Sequence, residues 1–340
     1  MSEMTHDARA TPRTGLGAGL ALAVVSAVTF SLSGPLAAGL FANGWSPGAV
    51  VLVRVAVGAV VVLPFGVVAL RGDWSPVRRN LRLLLGYGAL GVAATQFCYF
   101  AAVQHMQVGP ALLIEYSSPA AVVAWLWLRR GQRPGRTTLA GIALAAAGLV
   151  LVLDLAGARL DPVGVAWALG AMVGVSAYFL LNARTDTGLP PLSLAAGGLV
   201  VGAVLLGLLG AVGVMPLTAS ADPVTLAGGV VPAWAVLAAL GVVTAGVAYV
   251  TGVGAGRRLG ARPASFVGLL EVVSAVFFAW VFLGELPRPV QLLGGLLVLA
   301  GVVVVQQGEA ATRRTPTDGP TVEPVVEPTA APSTGPARKP

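Results

Sequence analysis

Residues 131–153 read GQRPGRTTLAGIALAAAGLVLVL, and residues 284–306 read GELPRPVQLLGGLLVLAGVVVVQ. A shift of 153 residues, from 131 to 284, superimposes the two stretches without gaps and aligns Gly and Pro in the loop that begins each of them. Each stretch then continues as an apolar run of about 20 residues, the helical length that crosses a bilayer core of about 30 Å. The pattern predicts a membrane protein with a duplicated chain.

Ten such apolar runs occupy most of the sequence. They are predicted as helices at 17–41, 48–70, 81–103, 110–128, 137–155, 163–182, 190–213, 232–253, 262–283 and 289–307. The chain is 56% hydrophobic and 10% charged, against about 25% charge in soluble domains. Membrane β-barrels need strands of alternating polarity, whereas these runs are apolar on every face. We therefore predict an all-α membrane protein with ten transmembrane helices.

The repeat divides the ten helices into two groups of five, at 17–155 and 163–307. Five is an odd number, so the second group must enter the membrane from the opposite face. The sequence thus predicts two inverted-topology five-helix repeats, an architecture that secondary transporters use to alternate access to a central site. Residues 1–16 are predicted as an N-terminal tail. Residues 308–340, with proline at every fourth position from 316, are predicted as a disordered tail.

The positive charges predict the orientation. The N-terminus, the even-numbered connections and the C-terminus hold 18 of the 21 Lys and Arg residues, and the odd-numbered connections hold only Arg159 and Arg288. Positive residues stay on the cytoplasmic side during insertion, so both termini are predicted to be cytoplasmic in the cell membrane. The arginines are spread over six segments, which argues against a nucleic-acid surface despite the net charge of +7.

Two segments identify a family. FSLSGPLAAGLFANGWSP (30–47) and LIEYSSPAAVVAWLWLRRGQRP (113–134), together with the five-plus-five repeat, resemble the EamA-type carriers of the drug/metabolite transporter superfamily. The resemblance covers residues 15–307. It implies export or exchange of small metabolites, amino acids or drugs through a central cavity, lined by the first four helices of each half, with the fifth and tenth helices peripheral.

Arg54 and Glu115 are charged residues inside predicted helices, where a charge normally faces a cavity or a partner. They lie roughly 9 Å and roughly 7–8 Å below the external helix ends, at about 1.5 Å per residue. Two interpretations stay open. The pair is either a static ion pair between the second and fourth helices, or a substrate site in which Arg54 attracts a carboxylate and Glu115 balances the charge.

Glu271 lies near the middle of the ninth helix, on a face of small residues that includes Gly268, Ser274 and Ala275. A buried acid that stays protonated until water reaches it is a plausible proton carrier, and Glu115 is the second candidate for this role. The alternative for Glu271 is a protonated side chain that donates a hydrogen bond between helices.

Uncharged polar residues complete the predicted site. Ser33 precedes Gly34-Pro35, which should kink the first helix and release backbone carbonyls. Gln96 and Tyr99 lie in the outer part of the third helix, and Tyr178 lies in the second half. Each of them is predicted to contact the substrate, with a helix–helix hydrogen bond as the alternative.

Other functions fit less well. His6 and His105 are the two histidines, and no HExxH, GxSxG or GxxxxGK[ST] motif occurs, so no catalytic residue, metal or cofactor is predicted. An intramembrane enzyme acting on a lipid-soluble substrate, or a channel, is the alternative to a carrier. The predicted partners are a small-molecule solute, membrane lipid and protons, and a homodimer is left open.

Overall fold

The computed structural model describes residues 14–106, 108–153, 161–284 and 286–314. Ten helical segments in this part of the chain are long and apolar enough to cross a membrane, which confirms the predicted number of transmembrane helices. We call them spans 1 to 10. They are Leu16–Ala42, Pro47–Ala69, Leu81–His105, Ala111–Arg130, Arg136–Leu153, Pro162–Asn182, Pro191–Ala211, Ala233–Leu259, Ala261–Phe282 and Pro289–Gly308.

Spans 2, 5, 6 and 7 are continuous helices over these bounds. Spans 2 and 6 each begin with a capping side chain followed by proline: Ser46 accepts a hydrogen bond from the Ala49 N–H, and Asp161 accepts from Val163 and Gly164. A proline at the first helical position has no N–H to leave unpaired, so both helix starts are set by local sequence.

Five spans are not continuous α-helices: three are interrupted, and two contain π-helical segments. Span 1 consists of Thr14–Ser31 and Ser33–Ala42, with the predicted break just before Gly34-Pro35. Span 4 consists of Val108–Glu115 and Ser118–Arg130, and span 9 of Ala261–Gly268 and Leu270–Leu283. Spans 3 and 8 each contain eight π-helical residues: span 3 is built from Leu81–Gly86, Tyr87–Ala94 (π) and Thr95–His105, and span 8 from Ala233–Ala239, Leu240–Val247 (π) and Ala248–Leu259.

Two helix ends differ from the predicted ones. Span 8 continues to Leu259, six residues beyond the predicted end, because Arg257 and Arg258 extend the helix past the apolar run. The last helix, Pro289–Arg314, continues seven residues past 307 into the segment predicted as a disordered tail. The remainder of that tail, like residues 1–13, lies outside the described residues.

The bundle has two distinct ends. At one end, the connection between spans 7 and 8 forms a two-stranded antiparallel hairpin, β1 (Val224–Leu226) and β2 (Gly229–Val231), which the sequence did not predict. We call this the hairpin end. The opposite end carries Arg71, Arg129, Arg130, Arg257 and Arg258, and we call it the arginine end. A short helix, Ser75–Arg79, precedes span 3 there.

Spans 5 and 10 pack on each other through two pairs of glycines. A Cβ atom on Gly141 would lie 2.9 Å from the Gly301 carbonyl oxygen, and one on Gly148 would lie 2.7 Å from that of Gly294. Conversely, a Cβ atom on Gly301 would lie 2.8 Å from the Gly141 carbonyl oxygen, and one on Gly294 would lie 2.6 Å from the Gly148 carbonyl oxygen. The two helices therefore run antiparallel, with their backbones too close for any side chain at these four positions.

Candidate functional site

A cavity of about 310 Å³ lies in the middle of the bundle. Spans 1, 2, 3, 4, 6, 8 and 9 contribute to its lining, whereas no described residue of span 5, 7 or 10 does so. All the residues that the sequence predicts for solute or proton binding lie on its wall. They are Ser33, Arg54, Gln96, Tyr99, Glu115, Tyr178 and Glu271. The structure thus brings together residues from six spans around one space.

Arg54 is buried, with 6% of its surface exposed, and a backbone carbonyl holds its guanidinium. Its Nη2 donates to the Thr244 carbonyl oxygen at 2.9 Å, and the guanidinium carbon lies 5.3 Å from the centre of the Phe30 ring. Thr244 belongs to the π-helical segment of span 8, where irregular helical bonding leaves carbonyls accessible to side chains. The Nε atom of Arg54 has no hydrogen-bond partner among the described residues.

Arg54 does not form the ion pair with Glu115 that the static interpretation requires. Within the described part of the chain, no carboxylate oxygen lies within salt-bridge distance of its guanidinium. Glu115 and Glu271 lie on the same cavity wall as Arg54. The described wall of the cavity therefore carries one cation that is held by a neutral carbonyl, together with two carboxyl groups.

Aromatic side chains form a continuous row along the cavity. Phe30 contacts Tyr249 with ring centroids 5.1 Å apart, Tyr249 contacts Tyr178 at 5.7 Å, and Tyr178 contacts Tyr87 at 5.8 Å. The row begins beside Arg54 and crosses spans 1, 8, 6 and 3. Phe30, Tyr249 and Tyr178 line the cavity and give its wall aromatic faces, whereas Tyr87 lies behind Tyr178 and is fully buried.

Three residues of the site were missed by sequence reasoning. Phe30 and Thr244 contact Arg54, and Tyr116 lies on the cavity wall beside Glu271. Tyr116 directly follows Glu115 at the break in span 4, so its position next to a predicted site residue could have indicated that it belongs to the site. Nothing in the sequence marks Thr244, because the carbonyl and not the side chain makes the contact.

The described residues contain no group of three or more His, Cys, Asp or Glu side chains that could hold a metal ion. The polar groups of the cavity instead suit hydrogen bonding and charge pairing with an organic solute. The volume lies at the lower end of the range of about 300–1,000 Å³ typical of small-molecule sites.

Comparison with known proteins identifies the family. The sequence model of the EamA-like transporter family matches residues 17–154 and again residues 162–306. The chain belongs to the EamA-like transporter family. It is therefore a multi-pass membrane transporter and not an enzyme, as predicted.

Curated members of the family are similar over most of their length. The threonine/homoserine exporter RhtA of Escherichia coli (strain K12) is 25% identical over 288 residues, which cover 82% of this chain and 86% of the exporter. A probable terminal-alkyne amino-acid exporter of Streptantibioticus cattleyicolor is 27% identical over 245 residues, or 70% of this chain and 77% of the relative. An uncharacterized transporter of Archaeoglobus fulgidus is 28% identical over 255 residues, or 75% of this chain and 85% of the relative.

A crystal structure of a protein aligns with a TM-score of 0.72 at 20% identity, covering 88% of this chain and 99% of that one. At this identity the similarity concerns the fold alone. The family defines the molecule as a transporter, and the central cavity is its candidate site.

Proposed function

We propose that this protein is a secondary transporter that exports a small amino acid or a related metabolite by alternating access. The observation that carries the proposal is the central cavity, whose wall carries the Arg54 guanidinium, with no acidic partner among the described residues, together with the carboxyl groups of Glu115 and Glu271. A solute with a carboxylate and an amine would find opposite charges for both groups. The exporters named above support an amino-acid-like solute, and the small volume favours a compact one.

The proposed roles follow from the cavity wall. Arg54 attracts the solute carboxylate, and Glu115 balances the charge. Ser33, Gln96, Tyr99 and Tyr178 supply hydrogen bonds to the solute. Glu271 carries the coupling proton, with Glu115 as the second candidate, because both acids are enclosed by the bundle and face the same space as the solute.

Alternating access rests on the two halves, 17–155 and 163–307, being inverted repeats. Three observations support this. Equivalent spans 5 and 10 run antiparallel through reciprocal glycine contacts. The two π-helical segments, at 87–94 and 240–247, are related by the same shift of 153 residues as the sequence repeat. The left-handed glycines that end spans 4 and 9, Gly131 and Gly284, are related by that shift too.

The orientation follows from the charges: the arginine end faces the cytoplasm, the hairpin end faces outward, and both termini are cytoplasmic. The fifth and tenth spans are peripheral to the transport path and hold the halves together. The cavity is lined by residues of one chain, so the site does not require a second copy. A homodimer stays a prediction.

Metabolite profiling of spent medium tests the proposal. Cells would express the unaltered chain, Arg54→Gln, or Arg184→Gln, which makes the same chemical change at an exposed position outside the cavity. We expect the unaltered chain and Arg184→Gln to move one or more small amino acids or relatives from cells to medium. Arg54→Gln at equal abundance in the membrane should not, because the carboxylate loses its charge partner.

Two results would contradict the proposal. Equal accumulation outside with Arg54→Gln would remove this residue from the site. A compound that disappears on both sides of the membrane while a new product appears would indicate an enzyme instead of a carrier.

A further inference from the structure

Two side chains of span 6 fill the bundle between the cavity and the arginine end. The Tyr178 hydroxyl lies against the backbone of Gly252, and Asn182 lies against Gly256, so span 6 packs directly on a glycine face of span 8. A Cβ atom on Gly256 would lie 2.8 Å from the Asn182 Cβ. Tyr87 of span 3 stacks on Tyr178 from the other side.

We propose that Tyr178, Asn182 and Tyr87 form the gate that closes the transport path at the arginine end, and that the gate opens when span 6 separates from the glycine face of span 8. This inference rests on the proposed function, because a gate has meaning only where solute passes. It assigns a role to Tyr178 beyond solute contact, and roles to Asn182 and Tyr87, which the proposed site does not use.

The hydrogen bonding of these side chains supports a gate. Tyr87 and Asn182 are fully buried and Tyr178 is 8% exposed. The hydroxyls of both tyrosines and both polar atoms of the Asn182 side chain make no hydrogen bond of good geometry in the described part of the chain, although Asn182 lies near both hydroxyls and Ser26 lies near that of Tyr178. Buried polar groups are nearly always paired, since leaving them unpaired costs free energy. A purely structural contact at this place would be more stable if it were apolar. Groups that meet water each time the path opens recover their hydrogen bonds in that state.

The second support is an asymmetry between the two ends. At the arginine end span 6 packs on span 8, and Ser118–Arg130 of span 4 packs on Ala261–Gly268 of span 9. In the internal repeat, the counterpart of Ser118–Arg130 is Leu270–Leu283, and the counterpart of Ala261–Gly268 is Val108–Glu115. Both counterparts lie toward the hairpin end. In the described part of the chain, these two counterparts do not pack on each other to a comparable extent. Spans 1 and 3, which are the counterparts of spans 6 and 8, do not do so either.

Exposure of the cavity wall agrees with this asymmetry. Gly34 and Phe41, which line the cavity toward the hairpin end, are exposed, whereas Ala23, Ala255 and Ala264 toward the arginine end are buried. The structure is therefore closed at the arginine end and accessible from the hairpin end. Closure depends on glycine at 252, because a side chain there would occupy the place of the Tyr178 hydroxyl and hold span 6 away.

Thiol accessibility tests the gate without measuring transport, so a wrong substrate assignment would not affect the result. Replacing the single cysteine (Cys98→Ser) gives a background for two reporters: Asn182→Cys in the gate and Ala37→Cys in the cavity wall toward the hairpin end. A maleimide is applied to open membrane sheets, where it reaches both faces. Each reporter is combined with Gly252→Ala or with Gly254→Ala. The latter is the matched control, because its Cβ would meet only the side chains of Leu22 and Arg258, at 3.2 and 3.4 Å.

With Gly254→Ala we expect fast labelling of Ala37→Cys and slow labelling of Asn182→Cys. With Gly252→Ala, labelling of Asn182→Cys should rise about tenfold or more as the open form grows from a minor population of about 1–10% to the major one, while labelling of Ala37→Cys falls. Adding Tyr178→Phe removes the hydroxyl that the new methyl group would meet and should restore slow labelling. Slow labelling of Asn182→Cys in folded Gly252→Ala would overturn the proposal, and so would a rise at both reporters together.

A second variant keeps the test valid if Gly252→Ala does not fold. Asn182→Cys with Gly256→Cys places two Cβ atoms close enough for a disulfide once the backbone relaxes slightly. Oxidation should lock the arginine end, keep Ala37→Cys labelling fast and stop transport, and a reductant should restore transport. Undiminished transport by the cross-linked protein would overturn the gate.

Discussion

The contact between spans 5 and 10 and the wall of the cavity differ in how well the internal repeat is kept at equivalent positions. In the first region equivalent positions keep the same residue, as Gly141 and Gly148 align with Gly294 and Gly301. In the second they differ: the shift that relates the halves places Gln96 on Tyr249 and Tyr99 on Gly252. Symmetry is kept where two copies of one helix pack on each other. It is lost where the chain must offer a solute different groups from each side.

The largest effect is expected from the packing region. Gly294→Ala would place a methyl group 2.5 Å from the Val152 backbone nitrogen and 2.6 Å from the Gly148 carbonyl oxygen, neither of which can rotate away. Overpacking of this kind costs about 1–3 kcal/mol, so the melting temperature in detergent should fall. Gly295→Ala is the matched control, since its methyl group would meet only Val273 Cγ1 at an ordinary 3.5 Å. Equal melting temperatures for the two variants would show that the reciprocal contact is not needed.

The cavity region should respond in transport and not in stability. Glu271→Gln imitates the protonated acid, so the protein should fold and exchange solute across vesicle membranes at a normal rate. Accumulation driven by a pH gradient should fall to the level seen without a gradient, because the proton carrier is gone. Asp73→Asn is the control, an exposed acid whose replacement can still accept the Ser75 N–H bond. Gradient-driven accumulation at the control level in Glu271→Gln vesicles would exclude this residue from coupling.

The smallest effect is expected from the ring beside Arg54. Phe30→Leu removes the aromatic face over the guanidinium, an interaction of roughly 1 kcal/mol, so solute affinity should weaken about fivefold. Phe65→Leu makes the same change at a position on span 2 that is 62% exposed, and we expect wild-type affinity there. The measurement is the concentration dependence of exchange in proteoliposomes. An affinity unchanged by Phe30→Leu would mean that the Thr244 carbonyl alone positions the guanidinium.

Lipid imposes the features that the sequence predicted well. A bilayer admits helices of a fixed length, so ten apolar runs define ten spans, and an intramembrane charge such as Arg54 or Glu271 has few places other than a shared cavity. Backbone geometry determines the features that were missed. The π-helical segments, the break before Ser118 and the use of the Thr244 carbonyl follow from how neighbouring spans pack, and no local residue pattern signals them. The same holds for the contact of Asn182 with a glycine face 74 positions away.

The hairpin at the accessible end has a practical consequence for anyone who adds a tag to this protein. The connection 212–232 is the longest in the described chain and looks like the natural place for an epitope or a fluorescent domain. It is not a free loop, because the Asn43 side chain donates to the Asp222 and Pro223 carbonyls, and the Ala227 N–H donates to Phe282. An insertion there would pull on the connection that follows span 1 and on the end of span 9 at once. The exposed turn at 72–74, on the opposite end, has no such attachment to a distant span among the described residues and is the better insertion point.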